Sequence, residues 1–198
     1  KLSKIVCVLS QLRSGCDKDT LIQICAPNFG LEYLGSFDSI KHLLIEQDDL
    51  FEIYHSSFQI YIASKLTKTI IQQINDDILG YCKNHESSIL NIRDRIFHLA
   101  SSSSKAKCIE ECTQDWADKA AINNIAPSYI LSDIKMVLAI SIKQNNLTDT
   151  VRLLLLSQRI EFRYDSVFAH NAFELAELMI ATNNPKAAIN YLIREQTI

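Results

Sequence analysis

Apolar residues at the start of the chain fall at Leu2, Ile5, Val6, Leu9 and Leu12. That i, i+3, i+4, i+7 spacing places them on one face of a helix, and Gly15 ends the pattern. Asp17 or Asp19 then offers a carboxylate to cap a short second helix over residues 20–25. Pro27, Asn28 and Gly30 break the chain. A third helix, with Gly35 as a potential kink, carries Leu31, Leu34, Ile40, Leu43 and Leu44. The period then changes. Across residues 43–55 two short apolar-alternating runs flank Asp48-Asp49, a hairpin signal, and Phe51, Ile53 and His55 share one face of the second run.

Three helices followed by a two-stranded wing predict a winged-helix domain over residues 1–66. Such a domain first suggests DNA binding, but its charge argues otherwise. Six basic residues (Lys1, Lys4, Arg13, Lys18, Lys41, Lys65) stand against eight acidic ones (Asp17, Asp19, Glu32, Asp38, Glu46, Asp48, Asp49, Glu52). The wing holds four of those carboxylates and no Lys or Arg. DNA binding draws most of its affinity from cationic contacts to phosphate, so no nucleic acid is expected at this face.

Residues 67–198 read as helical. After Ser57, Phe58, Tyr61, Ile62 and Leu66 trace one stripe. Ile70, Ile71, Ile74, Ile78 and Tyr81 trace the next, and Ile89, Ile92, Ile96 and Leu99 a third, ended by Ser101 to Ser104. That serine run is a helix-to-helix connection rather than a flexible linker. Ala106, Ile109, Trp116 and Ala120 predict the next helix, and Pro127 closes the loop after it. An internal repeat then appears between positions 137 and 175. Val137, Leu138, Ile140, Ile142 and Asn145 correspond to Leu175, Ala176, Leu178, Ile180 and Asn183, and Asn146, Val151, Leu153 and Leu154 to Asn184, Ile189, Tyr191 and Leu192. Each copy reads as a helix, an Asn-Asn turn and a second helix, with Asn184 as cap and Pro185 at the first helical position of the second copy. Helical hairpins of this length fall in the range of TPR and HEAT-like units, and further repeats are expected beyond Ile198 because such units bury their faces only by stacking. The alternative is two antiparallel hairpins of a bundle that match by chance. The predicted fold is therefore mainly α: a winged helix with a small β-hairpin, then helical hairpin repeats.

Composition narrows the classes. Of 198 residues, 47% are hydrophobic and 22% charged, and only 4 Gly and 3 Pro are present, which excludes a turn-rich all-β fold. No apolar run approaches the roughly 18 residues of a membrane span. The 6 cysteines lack CxxC spacing and several fall on apolar helix faces, so they read as buried or incidental thiols rather than a disulfide or metal framework, and the chain as cytoplasmic. Lys1 in place of Met, and a helical pattern that runs into Ile198, make a segment of a longer protein the expectation.

The stretch Tyr54-His55-Ser56-Ser57-Phe58-Gln59-Ile60-Tyr61 joins the hairpin to the next helix. A histidine leaving a strand just before a Ser-Ser cap has its ring near a helix N-terminus, where unpaired N–H groups and the dipole favour an anion. This segment resembles the tail of the winged-helix domain in STAND-type NTPases, including the NACHT group. Val151-Arg152-Leu153-Leu154-Leu155-Leu156, with Phe162-Arg163-Tyr164 beyond it, is similar to the helical region of bacterial members. The resemblance implies that His55 contacts the β-phosphate of ADP in the closed resting state and releases it when the winged helix rotates away. It implies ADP or ATP with Mg on an upstream nucleotide-binding domain of the same chain, a sensed ligand that is a protein, homo-oligomerisation on activation, and a role in antiphage defence or transcription regulation. This chain itself contains no G-x-x-x-x-G-K-[ST] loop, so it holds no cofactor of its own and no ATPase activity is expected of it. The rival readings are a winged-helix DNA-binding regulator with a helical effector region, and a plain helical scaffold.

Other groupings carry less. His42, His85, His98 and His170 lie apart without metal-ligand spacing. Ser56 and Ser57 adjoin His55 but sit in no nucleophile elbow. Arg93-Asp94-Arg95, Arg159 and Arg163 read as solvated helix faces, and Trp116 and Tyr129 as packing residues. Cys108, Glu111 and Cys112 are near on a helix without a fourth ligand.

Overall fold

The computed structural model describes residues 2–26, 31–47, 49–182 and 185. Helix α1 (Leu2–Gln11) buries Ile5 and Leu9 of the predicted stripe, with Leu12 just past its end, but Val6 is only half-buried and Val8, outside the stripe, is buried instead. Helix α2 (Lys18–Cys25) starts at Asp17, whose carboxylate accepts the Thr20 N–H at 2.8 Å; such a cap contributes about 1 kcal/mol. Helix α3 (Leu31–Ile40) runs through Gly35 and stops earlier than the sequence predicts. Leu43 lies in a 3-10 turn (Lys41–Leu43) and Leu44 opens strand β1 (Leu44–Gln47). The break at Pro27, Asn28 and Gly30 falls outside the described residues.

Strand β1 pairs antiparallel with β2 (Leu50–Ile53), in the register Leu44↔Ile53 and Gln47↔Leu50. Asp49 turns the hairpin with φ 62°, a left-handed conformation that a short polar side chain tolerates. The free edge of β2 is bridged by the α1–α2 loop. Phe51 N–H donates to the Cys16 carbonyl at 2.9 Å and Cys16 N–H to the Phe51 carbonyl at 3.3 Å. Among the described hairpin residues Phe51 alone is buried, its ring edge-on to Phe37 with centroids 4.9 Å apart.

Helices α4 (Ser56–Lys65), α5 (Lys68–Asn84), α6 (Ile89–Ser101), α7 (Lys105–Glu111), α8 (Gln114–Ile122), α9 (Pro127–Lys143) and α10 (Leu147–Ala181) follow. Thr67, Ser88, Thr113 and Asn146 cap four of them through side-chain oxygens. The single helix predicted across Ala106 to Ala120 is two. Thr113 caps α8, and Arg152 of α10 donates to the carbonyls of Ile109 (2.6 Å) and Cys112 (2.7 Å), satisfying the end of α7. Tyr61, Ile70 and Ile89 of the predicted stripes are exposed, while Ile62, Ile74, Ile78, Ile96 and Leu99 are buried.

The first repeat copy forms a hairpin of α9 and α10, turned at Asn145 (φ 55°) and capped by Asn146. The expected array of two hairpins is corrected by α10, which runs 35 residues without a turn between the copies. No Gly or Pro lies between Leu147 and Ala181 to end it. The second copy's Asn183–Asn184 turn and its second helix fall outside the described residues. In coarse terms the protein is mainly helical with one small antiparallel sheet.

Two apolar cores result. The first joins α1, α2, α3, β2 and α5, with Leu21, Phe37 and Ile78 at its centre. The second joins α6 to α10, with Ile96, Ile134, Val137 and Leu153. Each fully buried Leu, Ile or Phe contributes about 1.5–3 kcal/mol. Helix α6 belongs to both, Leu90 to the first and Ile96 to the second. Between those two positions lies Arg93-Asp94.

Candidate functional site

Strand β2 ends at Ile53, Tyr54 N–H returns to the Leu43 carbonyl (2.9 Å), and His55 takes the N-cap position of α4 with extended backbone (φ −107°, ψ 119°). The Ser-Ser cap is thereby corrected. Ser56 and Ser57 are the first two helical residues, and His55, whose side chain makes no cap hydrogen bond, occupies the cap. Its carbonyl accepts from Phe58 (2.9 Å) and Gln59 (3.2 Å), leaving the Ser56 and Ser57 amides with no intrahelical acceptor. The imidazole is exposed, with the edge of Tyr54 at 4.2 Å between centroids. Buried Ile62 anchors α4, and Gln59 reaches the Ser10 carbonyl of α1 at 3.4 Å. Chemically, the corner offers one imidazole, two hydroxyls and two backbone N–H groups to solvent: hydrogen-bond donors with no carboxylate among them.

A second constellation is buried. Arg13, in the α1–α2 loop, forks onto Asp133 of α9 (Nη1–Oδ1 2.6 Å, Nη2–Oδ2 3.0 Å) and donates through Nε to Asp94 of α6 at 3.3 Å. Nη2 also reaches the Arg93 carbonyl at 3.1 Å. The guanidinium lies 4.6 Å from the Phe97 ring centroid and 4.9 Å from that of Tyr129, a cation–π sandwich partly shielded from water. Arg93 pairs the other Asp94 oxygen at 2.8 Å. Asp94 and Asp133 are buried, so the reading of Arg93-Asp94-Arg95 as a solvated face is corrected. Asp94 follows Leu90 by four residues and lies on the core side of α6. Two arginines and two carboxylates balance, as a charge cluster away from water requires. Burial raises the Asp133 carboxyl to about 6 against the pull of Arg13.

Next to this cluster, His98 is fully buried with Nδ1 2.7 Å from Asn75 Oδ1. Asn75 Nδ2 donates to the Ile71 carbonyl, so its Oδ1 faces the ring and His98 donates through Nδ1. His98 Nε2 then has no partner among the described residues. Burial lowers the imidazole to about 4.

The other expected positions separate. His42 and His85 are exposed, the latter stacked on Tyr81 with ring centroids 4.1 Å apart; the side chain of His170 is outside the described set. Trp116 donates Nε1 to the Ile92 carbonyl at 3.1 Å and Tyr129 packs on the second core, both as packing residues. All 6 cysteines are free thiols, and burial pushes Cys16, Cys25, Cys82 and Cys112 up to about 12, which leaves them protonated and inert. Glu111 pairs with Arg95 rather than with Cys108 or Cys112. Among the described residues no group of His, Cys, Asp and Glu is placed to hold a metal, and no helix is long and apolar enough to cross a membrane. An open groove of about 670 Å³ runs along α10 past Thr113, Val151, Leu155 and Arg159.

Arg13 and Asp133 belong to no motif, and type alone does not single them out. Position does mark Asp133, a carboxylate three residues after Ile130 and four before Val137, at a core register of its helix. Comparison with protein-family models, curated proteins and solved structures finds no match.

Proposed function

We propose that this chain is the regulatory and sensor-coupling part of a STAND-type NTPase. In this reading residues 1–66 form a winged helix that holds an upstream nucleotide domain of the same chain in its ADP-bound resting state. The helical region carries recognition of a protein ligand into opening and homo-oligomerisation, in a role such as antiphage defence. The chain contributes no catalysis; ADP or ATP with Mg belongs to the nucleotide domain.

The observation that carries the reading is the exposed His55 at the β2–α4 corner, beside the open amides of Ser56 and Ser57. Imidazole N–H and helix-start amides together suit a phosphate oxygen. A contact made in one orientation and lost in another biases a two-state equilibrium by its differential free energy, a few kcal/mol for a substantial shift. The hairpin's exposed Glu46, Asp49 and Glu52 favour a protein neighbour over a DNA duplex.

The test is ADP retention by the protein that includes its nucleotide domain. His55→Ala is expected to release fluorescent ADP at least about tenfold faster, the cost of one charge-assisted hydrogen bond, and to oligomerise without ligand. ADP release at the wild-type rate would refute the role of His55.

A further inference from the structure

The α1–α2 loop is held on both sides within four residues, Arg13 to Cys16. Toward the hairpin, Gly15 N–H donates to Glu52 Oε1 at 2.5 Å and Cys16 exchanges two backbone hydrogen bonds with Phe51. The approach is close. A Cβ on Gly15 would stand 2.9 Å from Glu52 Cγ and 3.0 Å from Leu50 Cβ, so any larger residue there would have to push β2 or Glu52 aside. Toward the helices, Arg13 is forked onto Asp133, bonded to Asp94 and sandwiched by Phe97 and Tyr129. Only Ser14 separates the two attachments, and its buried hydroxyl has no partner among the described residues.

We propose that this loop is a coupling strap, linking the β2–α4 corner mechanically to α6 and α9. Two residues of backbone span at most about 7 Å, which leaves no slack. A shift of β2 that keeps the Gly15 and Cys16 bonds must drag Arg13, and Arg13 cannot slide. Three of its hydrogen bonds fall on carboxylate oxygens of Asp133 and Asp94 and a fourth on the Arg93 carbonyl, and leaving them strands the buried Asp133, while Asp94 keeps only Arg93. The corner and the helical half therefore share one switch: either the strap stays seated and both hold position, or the arginine leaves its seat and both loosen. As regulation this rests on the reading of His55 given above; as a mechanical link it stands without it.

The experiment is amide exchange by mass spectrometry on the whole protein without nucleotide, so its result is independent of ADP retention in His55→Ala. Glu52→Ala removes the Gly15 acceptor at an exposed position. It is expected to speed exchange about tenfold in peptides covering residues 93–98 and 129–134, far from the substitution in sequence. Arg13→Met is expected to speed exchange equally at residues 50–53. Glu46→Ala, which breaks the hairpin's 3.0 Å pair with Lys41 but touches neither Gly15 nor Cys16, leaves α6 and α9 as in the wild type. Should Arg13→Met fail to fold, Glu52→Ala decides alone: faster exchange confined to the hairpin and the loop overturns the proposal.

Discussion

At position 98 burial keeps the imidazole neutral, against the pull of the Asp94 carboxylate, and the ring's hydrogen bond among the described residues goes to the amide of Asn75. Its pKa of about 4 in the fold lies below the ordinary value near 6.5 that the unfolded chain restores. The unfolded state therefore binds the extra proton between those values. The stability due to His98 is fully present above pH 6.5 and is lost as the pH falls toward 4. Asp133, raised to about 6 by burial, acts with the opposite sign: the folded chain holds its proton longer, and that contribution falls as the pH rises from about 4 to 6. The two nearly offset, so substitution of one exposes the other. His98→Gln keeps a donor for Asn75 and removes the titration. Its deficit against the wild type is expected to be roughly 2 kcal/mol larger at pH 6.5 than at pH 4.5, measured by urea unfolding at both. A deficit that ignores pH would show that His98 titrates in the fold as it does in the unfolded chain.

Among the elements, those whose ends are set by near neighbours were legible in the sequence. The Asp17/Asp19 pair marks the start of α2, where Asp17 proves to be the cap, Asp48-Asp49 the hairpin, and Asn145-Asn146 the α9–α10 turn, because caps and left-handed turns use side chains one to three residues away. The break between α7 and α8 was not, since its stabilising guanidinium comes from Arg152, 40 residues beyond Cys112. The clamp of Arg13 on Asp133 closes over 120 residues and leaves no periodic trace. For the candidate site, the strand-to-helix junction put the His55 ring near a helix N-terminus but also on the face of the buried Phe51, so its exposure was not legible, and which residue takes the cap depends on how α4 seats against α1. The turn gives a direct check. Asn145 holds φ 55°, so Asn145→Gly should be near neutral and Asn145→Val should cost about 1–2 kcal/mol by strain. Asn146→Ala should cost about 1 kcal/mol through the lost cap. Equal losses for Gly and Val at position 145, read from urea midpoints, would mean that the turn is not held in this conformation.

For the molecule as a whole, the question is whether two cores make two folding units. The polar layer of Arg13, Arg93, Asp94 and Asp133 separates them, yet the helices run through it. Ile78 lies in the first core while Leu79 packs on the second, and α6 places Leu90 in one and Ile96 in the other. Separating the cores would expose both sides of α5 and α6 and strand the buried charges, a cost of several kcal/mol. The cores should therefore unfold together. The only tryptophan, Trp116, packs on the second core, so its fluorescence follows that core, whereas far-UV circular dichroism follows helices of both. The two urea transitions are expected to coincide in midpoint and slope, as cooperative unfolding requires. An early or late fluorescence transition in the wild type would instead make the polar layer a boundary between independent domains. In Arg13→Met the same comparison measures what the clamp contributes. Transitions that separate only in that variant would show that the charges, rather than the shared helices, keep the halves in step.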